Sequence, residues 1–247
     1  MTHDCRSTTR TTTRNTSQNR ARTTGIQAIV LAVVLATGLG SLAAAGQSAP
    51  AGPGSLAPSL AATADGAVLT WLEPHGDGHA LRFAAFEGNE FDEPGTIARG
   101  QDWFANWADT PGLALLGDGS WLAWWLARSG GATYAYDIRF AVSPDRGASW
   151  SDPATVHRDG TQTEHGFVSV FPDEDGAGIV WLDGRHTMDG NRPEGMPEAM
   201  TLRTARLSAG GDITSSSMLD ERVCDCCQTA AATTDAGPVV AYRNRTP

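Results

Sequence analysis

The sequence predicts an all-β chain organised as a β-propeller, on three observations: a turn-and-strand phrase recurring at a long period, a second phrase recurring in step with it, and no helical periodicity after residue 46. The first phrase is a short turn followed by an apolar strand that ends in an aromatic: Asp65-Gly66 to Trp71, Asp118-Gly119 to Trp124, Asp175-Gly176 to Trp181, and Asp235 to Tyr242. These aromatics stand 53, 57 and 61 residues apart. The second phrase, Leu81-Arg82-Phe83-Ala84, Ile138-Arg139-Phe140-Ala141 and Leu202-Arg203-Thr204-Ala205, places its arginines 57 and 64 residues apart. A period above about 40 residues, built only of strand-like segments, points to propeller blades.

Each unit parses into four short strands separated by Gly, Asp and Pro turns. In the clearest unit they are Phe167 to Phe171, Ile179 to Leu182, Met200 to Leu207 and a weaker Ile213 to Leu219. Trp71, Trp124, Trp125 and Trp181 recur at one place in the strand pattern and are expected between blades, sheet packed on sheet. Between Ser55 and Pro247 there is room for about three and a half units, whereas closed propellers use roughly four to eight blades. The expectation is therefore part of a ring: a fragment, or a chain whose remaining blades come from elsewhere.

Ahead of the repeats, the first 24 residues carry five arginines and one acid, and they precede the apolar run Ile26 to Ala45. That order reads as an export signal cleaved after Ala45, with residues 46–54 as a linker and 55–247 as the propeller. The alternative is an uncleaved membrane anchor, since the run approaches the ~20 residues needed to cross a bilayer. Either way the protein is expected outside the cytoplasm, secreted or periplasmic, with the membrane reached only through this segment. Without the leader, 13 basic and 27 acidic residues remain, a net charge near −14. Such a surface excludes nucleic acid and anionic lipid as natural partners and leaves a glycan or small molecule. All 18 basic residues are arginine, so lysine-based covalent or general-base chemistry is excluded.

Ser143-Pro144-Asp145-Arg146-Gly147-Ala148-Ser149-Trp150 follows the pattern S-x-D-x-G-x-x-W. Ser143 and Asp145 are placed to bond turn amides, Gly147 to relieve a tight backbone, and Trp150 to pack under the hairpin between third and fourth strands. This segment resembles the Asp-box of the sialidase/neuraminidase (BNR) superfamily. Asp102 to Asp109, Glu164 to Phe167, Trp181 to Arg185 and Cys224 to Thr229 are further phrases similar to exported bacterial exo-alpha-sialidase-like proteins. The resemblance covers nearly all of the chain after residue 55 and implies a sialidase-type propeller, six-bladed in the family. Sialidases of this fold use three arginines on the substrate carboxylate, an Asp acid/base and a Tyr nucleophile activated by Glu. The Arg-Ile-Pro phrase of their first arginine is absent here, and their Tyr and last arginine come from later blades. The resemblance therefore carries the fold and the structural turn, not the catalytic set.

Propeller geometry narrows the search for chemistry, because the loops from strand 4 to the next strand 1 and from strand 2 to strand 3 open on one face. Asn106 to Asp109, Glu164-His165 and Cys226-Cys227 lie eight to twelve residues before the aspartate of the next turn, at equivalent entries to the innermost strand. Asp183-Gly184-Arg185-His186 and Arg243-Asn244-Arg245 occupy the other converging loop. Glu164, His165 and Asp183 are the acid/base candidates. Arg185, Arg243 and Arg245 are the candidate contacts of a substrate carboxylate, because a guanidinium meets one with two parallel hydrogen bonds. Trp103 or Trp107, Asp109 and Tyr136 complete the expected mouth, with Tyr134 or Tyr136 buried by alternation. The stretch His186 to Pro197 reads as a rim loop.

Three cysteines remain after the leader's Cys5: Cys224, Cys226 and Cys227. They either pair, as Cys224 with Cys227 or as the vicinal Cys226 and Cys227, leaving one sulfur over, or bind copper or zinc together with His165. Two functions follow as expectations. One is an exo-glycosidase releasing a terminal acidic sugar; the other is a non-catalytic binding or metal-holding propeller that uses the cysteine cluster.

Overall fold

The computed structural model describes residues 47–173, 176–188 and 190–245. The expected leader, its cleavage position and Cys5, and Asp175 of the third turn, lie outside the described residues. The rest is built of antiparallel strands, with one short 3-10 turn at Arg185–Thr187.

The first sheet comprises β1 (Leu56–Ala62), β2 (Gly66–His75), β3 (Gly78–Glu87), β4 (Glu90–Phe91) and β5 (Gly95–Gly100). Both β4 and β5 pair with β3, so together they form one outer strand interrupted around Pro94, which has no amide to donate. The second sheet runs β6 (Gly112–Leu115), β7 (Trp121–Arg128), β8 (Tyr136–Ser143) and β9 (Ala154–Thr155). The third runs β10 (His165–Asp173), β11 (Gly176–Asp183), β12 (Thr201–Ser208) and β13 (Ile213–Asp220). A final pair, β14 (Ala230–Thr234) and β15 (Gly237–Ala241), opens a fourth.

The opening strands of successive sheets neighbour one another: β6 lies beside β1 and β10, and β10 beside β14. That is the arrangement of propeller blades around an axis, and the strands follow the expected repeat. The middle sheets are covered on both faces, which explains why their second strands, β7 and β11, are almost continuously apolar. In β7, Trp121, Ala123 and Trp125 pack with Val68, Leu72 and Leu81 of the first sheet, while Leu122 and Leu126 pack with Ile179 and Trp181 of the third. The strand period of two thus sends alternate residues into two different cores. Trp71 and Trp181 are also fully buried, their indole N–H groups donating to Glu73 and Asp183.

The innermost strands share a second feature. Register slips between Leu56 and Ser59 in β1 and between Gly166 and Ser169 in β10, and each slip holds a residue with positive φ, Ala57 at 51° and Phe167 at 53°. These are β-bulges, which bend a strand and re-aim the side chains next to them. In β10 the re-aimed residues are those of the site.

The Ser143–Trp150 turn closes the hairpin between β8 and β9. Ser143 Oγ accepts from the Gly147 amide at 2.6 Å and donates to Asp145, whose Oδ1 accepts from the Ser149 amide at 2.8 Å. Trp150 meets Phe83 of the preceding sheet edge-on at 6.1 Å, so the turn also ties two blades together. Gly147 sits at φ 92°, and a Cβ there would come within 2.4 Å of the Phe83 ring. Gly147→Ala is expected to lower the unfolding free energy by about 2–4 kcal/mol, from the left-handed backbone and the overpacked ring together. Ser149→Ala, which keeps its amide bond to Asp145, should cost about 1 kcal/mol or less. Urea denaturation of both variants checks the order.

Candidate functional site

Four loops converge beyond the entries of the innermost strands and enclose a cavity of about 520 Å³. The loop before β6 contributes Phe104 and residues 106–109, the loop between β7 and β8 contributes Tyr134, the first residue of β8 is Tyr136, and Glu164 stands at the entry to β10. Asp225 and Cys226 reach it from the loop before β14.

The loop before β6 is shaped by Asn106, whose Oδ1 accepts from the amides of Ala108 and Asp109 at 2.8 and 2.7 Å while its Nδ2 donates to the Asp109 carbonyl. This side-chain-built turn throws Trp107 outward, 90% exposed at the lip, and turns Asp109 inward, 2% exposed. Phe104 stacks on Tyr136 at 4.0 Å and meets Tyr134 edge-on, with the Arg128 guanidinium 5.3 Å from the Phe104 ring centre. Trp107, Tyr134 and Phe104 form an aromatic wall facing carboxyl groups.

At the centre, the Tyr136 hydroxyl lies 3.0 Å from Asp109 Oδ2 and 2.9 Å from Glu164 Oε1. A phenol has one proton to donate, so only one carboxylate can receive it. Burial raises the Asp109 pKa to about 7, partly offset by the Phe167 amide and the Tyr136 hydroxyl and reinforced by the charge of Glu164. Burial also raises Glu164, with Tyr136 offsetting it and Asp225 adding to it. Burial and the two facing carboxylates push Tyr136 far above the ordinary phenol range, which makes it a donor and not a resting phenolate. One arrangement satisfies the shared hydroxyl: one carboxyl group keeps its proton and donates to Tyr136, and Tyr136 donates to the other. Asp109 Oδ1 is buried without a hydrogen-bond partner.

Gly166 makes this closeness possible. A Cβ at that position would fall 1.8 Å from Asp109 Oδ2 and 2.8 Å from the Tyr136 ring. Next to it, the strained Phe167 turns its carbonyl to accept from Thr229 Oγ1 at 2.6 Å, anchoring the bulge to the following blade.

The structure therefore assembles Asp109, Tyr136 and Glu164 from the sequence candidates, and it sends others away from the cavity. His165 points to the opposite side of β10 from Glu164 and is wholly buried, 3.3 Å from Asp159 Oδ2 and 3.2 Å from the Tyr136 carbonyl. Asp183 is wholly buried as well, accepting from Trp181 and bidentately from Arg185 at 2.7 Å in both bonds. The same Arg185 guanidinium is 3.2 Å from Asp159, so its donors are committed internally. The hydrogen bonds and charges of its partners hold Asp183 below the usual carboxylate range despite burial. Trp103 is in the core against Trp125, and its neighbour Trp107 takes the exposed role. Arg245 pairs with Asp225 at 2.8 Å, and Arg243 lies 3.8 Å from Cys227 Sγ.

Cys224 and Cys227 form a disulfide, leaving Cys226 free, exposed and on the cavity wall. The expected copper or zinc site of Cys224, Cys226, Cys227 and His165 is not assembled: two sulfurs are bonded to each other, and His165 is outside the group formed by the three. Sequence reasoning did not single out Phe104, Asp225, or the loop residues His157 and Asp159. A His-x-Asp pair in a loop has no periodicity that sets it apart from ordinary surface polarity. A second cavity of about 520 Å³, lined by Arg222 and Arg245, has no aromatic wall among the described residues.

No protein-family profile and no curated protein matches the chain. Among solved structures it is similar to the alpha-L-arabinanase of Penicillium chrysogenum complexed with arabinobiose, at 17% identity and TM-score 0.48, over 72% of this chain and 53% of that one. It is also similar to the NanB sialidase of Streptococcus pneumoniae, at 11% identity and TM-score 0.42, over 77% and 27%. A third is the catalytic domain of the GH62 alpha-L-arabinofuranosidase of Coprinopsis cinerea, at 11% and 0.42, over 77% and 67%. The chain thus spans about half the length of the first and about a quarter of the second.

The buried Asp109 has a consequence for stability. Its pKa rises from 3.8 to about 7 on folding, so the folded state holds a proton that the unfolded state releases, and stability falls as pH climbs between those values. Above pH 7 the full penalty, on the order of a few kcal/mol, is present. Asp109→Asn is therefore expected to raise the denaturation midpoint at pH 8 and to leave it nearly unchanged at pH 4. An equal shift at both pH values would mean that Asp109 does not titrate in this way.

Proposed function

We propose that the cavity binds the terminal unit of a glycan and hydrolyses its glycosidic bond, with Asp109 as general acid and Glu164 as the partner carboxylate. The supporting observation is the shared hydroxyl of Tyr136, which joins a carboxyl group whose pKa burial raises to about 7 to a second carboxyl group, inside an aromatic-walled cavity. Two carboxyl groups in different protonation states are what glycoside hydrolysis requires: one protonates the leaving oxygen while the other attacks or assists the anomeric carbon. Both reach one oxygen at 3.0 and 2.9 Å, so their nearest oxygens lie within about 6 Å, which favours the retaining geometry over the wider inverting one. The aromatic wall supplies an apolar face for the C–H groups of a sugar ring.

The lining favours a neutral sugar over an acidic one. Asp109, Glu164 and Asp225 line the cavity, no arginine does so among the described residues, and Arg185 is held by Asp183 and Asp159. An exported location belongs to the same proposal: the leader has the order of a secretion signal, and a Cys224–Cys227 disulfide suits an oxidising compartment. No helix among the described residues is long and apolar enough to cross a membrane.

A panel of fluorogenic neutral pentosides and hexosides, with a sialoside alongside, tests the reading on the full chain. The expected result is turnover of a neutral glycoside with retained anomeric configuration, falling about 100-fold or more in Glu164→Gln and Asp109→Asn. Because Asp109 must hold its proton to donate it, kcat/KM should fall as pH rises through about 7. Sialoside turnover lost on Arg243→Ala would instead restore the acidic-sugar reading. Binding without turnover, unchanged in Asp109→Asn, would identify a binding platform.

A further inference from the structure

On the other side of β10 from Glu164, a buried group of ionisable side chains is left unused by the proposed hydrolysis. It surrounds His165, the first residue of β10. Asp137 comes from the start of β8, His157 and Asp159 from the loop between β9 and β10, Asp183 from the end of β11, and Arg185 from the 3-10 turn that follows. The His157 ring stacks on the His165 ring with centres 3.7 Å apart and planes 10° from parallel, which fixes the orientation of His165.

Both nitrogens of that ring face acceptors. Nδ1 is 3.2 Å from the Tyr136 carbonyl, which has no proton to give, so Nδ1 carries one and donates. Nε2 faces Asp159 Oδ2 at 3.3 Å, with Asp183 Oδ2 at 3.9 Å. A ring protonated on Nδ1 alone would aim its Nε2 lone pair at two carboxyl groups. A second proton turns that repulsion into a hydrogen bond. Asp159 is suited to receive it: burial opposes its charge, but hydrogen bonds from His157, His165 and Thr161 hold it well below the usual carboxylate range. Asp137 Oδ1 also faces the ring, 3.7 Å from Nδ1. The cations beside Asp159 and Asp183 are Arg185 and, from β12, Arg203, and Arg185 is already bonded to Asp183. Burial works against a charge on His165 as well, yet the hydrogen bond to Asp159 and the charges of Asp183 and Asp159 outweigh it and place the group above the usual histidine range.

We propose that His165 is a buried imidazolium and a positioning residue, which clamps the Tyr136 and Glu164 segments together and makes Glu164, not Asp109, the ionised member of the carboxyl pair. Glu164 directly precedes His165, the two segments meet in a parallel bridge between Tyr136 and Glu164, and His165 Nδ1 closes that junction on the Tyr136 carbonyl. Asp109 reaches the Tyr136 hydroxyl from the loop before β6, on the cavity side. A positive charge behind β10 therefore acts unequally on the two carboxyl groups. Burial is the largest influence on Glu164 and raises it, while the His165 charge is among those that pull it down. The influences on Asp109 are burial, the Phe167 amide, the Tyr136 hydroxyl and the Glu164 charge. Asp109 then donates to Tyr136, and Tyr136 to Glu164, which sets the general acid apart from its partner. The inference rests on the hydrolytic reading for its catalytic consequence, whereas the charge on His165 and its effect on Glu164 are read without turnover.

The test uses the full chain with its disulfide intact. In nitrogen NMR of histidine-labelled protein, assigned by replacing the other histidines singly, His165 should titrate with a midpoint above the ordinary 6.5 and carry protons on both nitrogens below it. A midpoint at or below 6.5 overturns the proposal. Carbon NMR of labelled carboxyl groups then follows Glu164 and Asp109 in His165→Asn, which keeps a donor toward the Tyr136 carbonyl but has no charge. Glu164 should titrate at higher pH than in the parent chain and move further than Asp109; an unmoved Glu164, or an equal movement of both, overturns the proposal. His165→Gln, a second neutral variant, carries this arm if circular dichroism shows that His165→Asn does not fold. In turnover of a neutral glycoside, the acid limb of kcat/KM should move to higher pH in the same variant, lowering activity relative to the optimum about threefold or more at about pH 5. An acid limb that stays in place counts against the proposal. Glycoside binding without turnover by the parent chain would remove the hydrolytic reading and leave the two titrations to decide this one.

Discussion

Tyr136 is where the fold and the site depend on the same residue. Its amide donates to the Thr163 carbonyl, its own carbonyl faces His165 Nδ1, its ring belongs to the core between the second and third sheets, and its hydroxyl bridges two carboxyl groups. A side chain fixed at both ends has almost no freedom, so the carboxyl oxygens on it are positioned by the packing of two blades. The Gly166 backbone closes the same contact from below, because no larger residue leaves room for Asp109. Preorganisation of this kind lets a protein hold two acids close together without their moving apart to relieve repulsion.

Burial then produces opposite electrostatic outcomes on the two sides of β10. Toward the cavity, Asp109 has a phenol and a like-charged neighbour, so desolvation prevails and the group stays protonated near neutrality. On the far side, Asp183 is equally buried, but Arg185 and the Trp181 indole stabilise its charge. A buried ion pair of this type adds little net stability, yet it leaves a large penalty if one partner is removed. Its role here is to fix the corner where β11 leaves the sheet, which keeps Arg185 out of the cavity.

The Cys224–Cys227 bridge belongs to the same convergence of loops. It closes a tight turn at the entry to β14 and places Asp225 and Cys226 on the cavity wall, where Asp225 raises the pKa of Glu164 and is balanced in part by Arg245. Three successive blades thus each supply the same structural position with different chemistry: Asp109, Glu164, and Asp225 with Cys226.

The periodic part of this architecture was legible in the amino acids alone. Recurring aromatics at Trp71, Trp124 and Trp181 mark strands packed on both faces, Ser143 to Trp150 encodes a local turn whose bonds span only four residues, and the similar placement of Asp109, Glu164 and Cys226, nine to eleven residues before the next turn, marks equivalent loop entries. Each of these is a short-range or repeating pattern, and strand alternation converts it directly into burial. Tertiary structure alone decided which neighbour faces the cavity. Glu164 and His165 are adjacent, as are Trp107 and Ala108, and the outcome turned on the bulge at Phe167 and on the Asn106 clamp. The pairing of Arg185 with Asp183, the bridge between Cys224 and Cys227, and the meeting of His157 with Asp137 likewise depend on where distant strands end. A one-residue shift in a strand reverses which face a side chain occupies, and loops follow no period, so orientation at such points is set by packing across blades and not by local sequence.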